Sequence, residues 1–190
     1  TAEWTESARQ RLIRQALNQG QLKPVRDHFE GLDDVGEREL FRAELLRREG
    51  KSEQALEVLS NMLEKHETES FRGPFEKIAS AVYFENNRHQ SVLSVLPDTP
   101  ATEQQTELAL LSSLETNQPE RAERLLGLLP SDRQARLSKN IGQYYFSNEQ
   151  WEQAVSYFNR ATADLSTQLK LAQALRELDR LQEAYTTLSD

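Results

Sequence analysis

A small side chain recurs at Val25, Ala55, Val92, Ala122, Ala154 and Ala184, at spacings of 30, 37, 30, 32 and 30 residues. Four residues after each stands a large apolar one: Phe29, Leu59, Leu96, Leu126, Phe158 and Leu188. Five residues before each stands a turn-former or polar residue: Gly20, Gly50, Asn87, Asn117, Glu149 and Asp179. Nine residues before each, four of the six are sizeable and apolar (Leu46, Tyr83, Tyr145 and Leu175), with Ala16 and Ser113 the small exceptions. A period of this length means one supersecondary unit copied along the chain. No copy can bury its own apolar face, so neighbours must stack.

The unit is helical. Apolar residues recur at three- and four-residue spacing almost everywhere, and alternating strand-like runs are nearly absent. Gly and Asn tolerate the left-handed conformation that ends a helix and reverses the chain. The small residue beyond the turn lets two helices approach, and the large residue one turn on fills the space beside it. Each copy therefore reads as a helical hairpin and the whole as an all-α fold. Breaks are expected at 31–36 (GLDDVG), at 97–102 (PDTPAT, with two prolines) and around 66–74, where the longest spacing falls.

The best copy is Leu137–Ala161, LSKNIGQYYFSNEQWEQAVSYFNRA. It resembles the tetratricopeptide repeat. Ile141-Gly142 stands at that family's Leu-Gly, Tyr145 at its Tyr and Trp151 at the aromatic after the turn. Ala154, Phe158 and Ala161 match the second-helix Ala…Phe…Ala. Ser138 replaces the family's Trp, and Ser166 sits where the closing Pro would be. The resemblance implies a right-handed α-solenoid of about six hairpins. Residues 1–190 would form a single superhelical domain, expected to be a fragment of a longer protein.

In that family the first helices line a concave face that holds a partner. Here the outward positions are Arg136, Lys139, Asn140, Gln143 and Phe146, continued by Lys170, Gln173 and Arg176 in the last copy. They form a basic, amide-rich strip in an acidic protein, expected to receive an acidic or polar segment of another protein. Lys139 matches a Lys with which some family members bind a partner's carboxylate, while Gln143 replaces their Asn. Arg11 and Arg14 lie on a similar stripe of the first hairpin. The middle hairpins place Phe84, Leu111 and Leu114 there, which would be anchors if exposed.

Other functions find less support. Net charge is −8 and both halves share it, which argues against nucleic acid as the main partner. No run approaches the roughly 18 apolar residues of a membrane-spanning helix. The absence of cysteine excludes disulfides and thiolate metal sites and suits an oxidising compartment. The three histidines, His28, His66 and His89, form no HExxH motif; His66 and Glu69 are a bare i, i+3 pair. His89 reads as a partly packed structural residue. Asp33-Asp34 reads as a turn and helix cap. No Gly-rich phosphate loop or nucleophile elbow is present. No catalytic, cofactor-binding or metal-binding residue is expected, and the chain reads as a scaffold.

Degenerate arrays of this kind, rich in Arg and Gln and free of Cys, resemble those of bacterial envelope proteins. That resemblance implies a periplasmic role in exopolysaccharide export or secretion, recruiting a partner protein. The alternative is direct binding of a polysaccharide or peptidoglycan strand by the aromatic hairpin. Tyr145, Trp151 and Phe158 fall on the core stripe. Tyr144, Phe146 and Tyr157 lie off it, either exposed beside Asn140 and Gln143 or seating the next hairpin.

Overall fold

The computed structural model describes residues 5–64 and 71–189. Among them are twelve α-helices and no strand. The helices pack in consecutive pairs, and the chain divides into two compact units at Val95/Leu96. The first unit holds α1 (Glu6–Asn18) with α2 (Leu22–His28), α3 (Val35–Arg48) with α4 (Ser52–Glu64), and α5 (Arg72–Glu85) with α6 (His89–Val95). The second holds α7 (Glu103–Glu115) with α8 (Pro119–Leu126), α9 (Ser131–Ser147) with α10 (Trp151–Phe158), and α11 (Leu165–Glu177) with α12 (Leu181–Ser189).

One turn closes all six pairs. Gly20, Gly50, Asn87, Asn117, Glu149 and Asp179 are the six described residues with positive φ, between 55° and 74°. At the first turn the Gly20 N–H donates to the Leu17 carbonyl at 3.1 Å and the Gln21 N–H to the Ala16 carbonyl at 2.8 Å. The same two bonds recur at every turn, ending with Asp179 to Arg176 at 3.0 Å and Arg180 to Leu175 at 2.9 Å. This is the Schellman closure, which satisfies carbonyls that a helix end leaves open. The residue nine before the small one serves through its carbonyl. Ala16 and Ser113 can therefore stand where other copies have Leu or Tyr.

Side-chain caps start several of the first helices. Thr5, Asp34, Thr102 and Asp164 each accept the N–H three residues on. Asp34 therefore ends the 31–36 break early, and Val35 and Gly36 belong to α3. The proline-containing break lies between α6 and α7 as expected. Residues 65–70, with most of the third break, lie outside the described residues.

The repeat defines the core. Val25, Ala55, Val92, Ala122 and Ala154 are all 0% exposed, and Phe29, Leu59, Leu96, Leu126 and Phe158 are buried. The last hairpin departs from this register. Ala184 is half-buried, Leu188 is exposed, and α12 has no buried residue. Within each unit the hairpin that follows packs on the second helix before it. Within the first unit α2 packs on α3, and α4 on α5; within the second α8 packs on α9, and α10 on α11. The described residues place no helix after α12.

Candidate partner-binding surface

Neighbouring first helices are tied together by polar side chains. In the first unit Gln10 and Arg14 of α1 both donate to Glu37 of α3, and Arg47 of α3 donates to Glu85 of α5. In the second unit Glu107 of α7 accepts from Arg133 and from Arg136 of α9, the latter at 2.7 Å. Lys139 of α9 meets Asp164, the N-cap of α11, at 2.7 Å, and Lys170 of α11 donates to the Gln143 side-chain carbonyl.

The electrostatics follow from these pairs. Burial alone would raise the Glu107 carboxyl, but hydrogen bonds from Arg136 and Arg133 outweigh it and the net shift is downward. The Asp164 carboxyl falls to about 2, held by the Lys139 ammonium first and the Thr167 backbone N–H second. Arg176 bonds Glu177 at 2.8 Å. Among the strip's cations, Arg136, Lys139 and Arg176 are each matched by a carboxylate and Lys170 by an amide oxygen. The expected basic strip is therefore largely offset by neighbouring carboxylates, with Lys170 alone facing a neutral group. Such a change is not visible in the sequence, because Glu107 and Asp164 lie 29 and 25 residues from their partners.

The eight candidate residues do not share one environment. Arg136, Asn140, Gln173 and Arg176 are exposed; Lys139, Gln143 and Lys170 are half-buried in their pairs. The Asn140 side chain makes no hydrogen bond among the described residues. Phe146 turns into its own hairpin, edge-on to Trp151 at 5.3 Å and tilted against Phe158 at 6.1 Å. The ring is half-buried among these contacts. Phe84, Leu111 and Leu114 are half-buried, with Phe84 edge-on to His89 at 5.4 Å. Arg14 is engaged by Glu37, and Arg11 bonds Ser7 of its own helix.

The other aromatics also contact one another. Tyr145 and Phe158 are buried, whereas Trp151 is half-buried rather than fully core. The Tyr145 hydroxyl donates to Glu123 at 2.6 Å, and its ring stacks on Tyr157 at 5.8 Å. Burial and the Glu123 carboxylate push the Tyr157 phenol up to about 12. The Tyr144 hydroxyl donates to Asn117. Tyr144, Phe146 and Tyr157 are half-buried, each in contact with a neighbouring side chain.

Among the described residues, no group of three His, Asp or Glu side chains could hold a metal ion. His66 and Glu69 lie outside those residues. No described helix is long and apolar enough to cross a membrane. Compared with known proteins, the sequence matches no protein-family model and no curated protein.

One feature is not evident from the sequence. Leu169, Leu181, Tyr185 and Leu188 are all more than half exposed, and with Ala172, Gln173, Arg176 and Ala184 they line a single open groove on α11 and α12. The 4- and 3-residue steps of Leu181, Tyr185 and Leu188 signal an apolar helix face. Sequence alone does not say that this face is uncovered.

Proposed function

We propose that the chain is a non-catalytic interaction scaffold of the tetratricopeptide kind, a right-handed solenoid whose first helices hold an extended polar segment of another protein. The observation that supports this reading is the setting of Asn140. Side-chain pairs fix α7, α9 and α11 beside one another, and Asn140, one turn after Arg136 and next to Lys139 on α9, is exposed. An amide offers two donors and an acceptor, which suits a peptide backbone. A polar segment can bond there without breaking either ion pair, whereas an acidic one must compete with Glu107 and Asp164. The resemblance to envelope arrays supports a periplasmic export or secretion assembly as the setting.

The test is affinity capture from bacterial envelope extract with the wild-type chain and with Asn140→Ala/Arg136→Glu. The expected result is a defined protein retained by the wild type and lost by the variant, with both melting alike. Retention of soluble polysaccharide and no protein would replace the scaffold with direct polymer binding.

A further inference from the structure

The fifth and sixth hairpins show how this chain covers an outer face. Helix α11 lies on α10, with Asp164 bonded to Lys139 and Lys170 bonded to Gln143. Turn residues Glu149 and Asp179 set the next copy 30 residues on. That shift puts Leu169 at the place of Lys139, Gln173 at Gln143, Tyr185 at Val155 and Leu188 at Phe158. Val155 and Phe158 are buried, but Tyr185 is 70% and Leu188 55% exposed.

A helix covering this groove as α11 covers the one before it must meet a specific pattern. Leu169 has no charge, so an uncharged N-cap should replace Asp164. Gln173 offers an amide oxygen, so a basic donor should stand where Lys170 does. The places of Thr167 and Leu171, both buried, call for a small and a large apolar side chain. Counted back from Gly20 as α11 is from Asp179, α1 supplies Thr5, Ala8, Arg11 and Leu12 at those four places. The register is also structural, since Thr5 and Asp164 are both N-caps bonded to the N–H three residues on. Arg11 is exposed and bonds only within its helix, and Ala8 and Leu12 are half-buried. The two faces thus lose a charge together, Lys139 to Leu169 and Asp164 to Thr5, and keep a cation–amide pair together.

We infer that α1 of one copy seats in the α11–α12 groove of a second copy, so that the chain self-associates head to tail. The contact joins unlike surfaces, and each added copy presents both again, so growth passes beyond a dimer. The inference is independent of the scaffold reading, because neither Asn140 nor Arg136 lines the groove.

Sedimentation velocity over a concentration series tests it, using the wild type, Leu12→Glu, Tyr185→Glu, and the two variants mixed. The wild type is expected to exceed dimer mass as concentration rises. Each variant alone should be monomeric, because every copy lacks the same half. The mixture should form a one-to-one dimer and nothing larger, since one variant keeps its groove and the other its α1. Arg11→Glu, at an exposed position, replaces Leu12→Glu if that variant loses its helical circular dichroism. A wild type monomeric throughout, or a mixture with no dimer, overturns the inference. So does a dimer that survives Leu12→Glu but not Tyr185→Glu, which would mean two grooves facing each other.

Discussion

A Cβ atom added to Gly142 would stand 2.7 Å from Cδ1 of Phe158. The ring of the second helix therefore rests directly on the backbone of the first. Gly142→Ala improves helix propensity by about 1 kcal/mol but overpacks a site where the ring is buried, at a cost of about 1–3 kcal/mol. The variant is expected to be less stable in a urea melt. A Cβ added to Gly73, near the start of α5, would meet no atom within 4 Å, so Gly73→Ala should be neutral or stabilising. Equal effects at the two positions would refute close packing at Gly142.

The six turns give a second prediction. Glu149 and Asp179 adopt left-handed backbone angles at φ 59° and 57°, where a Cβ costs about 1–2 kcal/mol. Replacement by Gly removes that strain and adds unfolded-state freedom, so Glu149→Gly should gain about 0.5–1 kcal/mol. Gly50→Ala, at φ 74°, should lose about 1 kcal/mol. Opposite shifts in denaturation midpoint are the expected signature, and a loss at both sites would count against the shared turn.

The repeat's small residue gives a third. Ala154 is 0% exposed, so Ala154→Leu should cost about 1–3 kcal/mol, and Phe158→Ala about 3–5 kcal/mol. Ala184 holds the same register but is half-buried on a helix with no buried residue, so Ala184→Leu should change stability by less than about 0.5 kcal/mol. Similar costs at Ala154 and Ala184 in guanidinium melts would show that the last hairpin is packed like the others.

These residues also show what can be read from the sequence. The turn positions, the small residue and the large residue after it are local, and each obeys a rule of backbone or helix geometry. All six positive-φ residues accordingly stand where the repeat places its turns. The state of Ala184 and Leu188 is not legible in this way, because burial depends on whether a neighbour follows, and the copies look alike from within. The strip on α9 and α11 follows from helical phase, which says which way a side chain leaves its helix. Phase does not say what waits there, so the pairing of Lys139 with Asp164 and the inward turn of Phe146 emerge only in the folded chain.

The Lys139–Asp164 pair gives the last prediction. The Asp164 carboxyl is at about 2, below its ordinary value of 3.8, because Lys139 and the Thr167 N–H both favour its ionised form. A carboxyl whose pKa is depressed on folding adds stability above its unfolded value and loses it as pH falls through the folded one. The contribution of Asp164 is therefore complete above about pH 4 and fades between pH 4 and 2. A carbon-13 titration of the Asp164 carboxyl should give a midpoint near 2 in the wild type. In Lys139→Met the midpoint should rise yet stay below the ordinary value, since the N-cap bond to Thr167, 2.9 Å long, remains. A wild-type midpoint near 4 would mean that the pair does not form in solution. An unmoved midpoint in Lys139→Met would assign the shift to the helix cap alone.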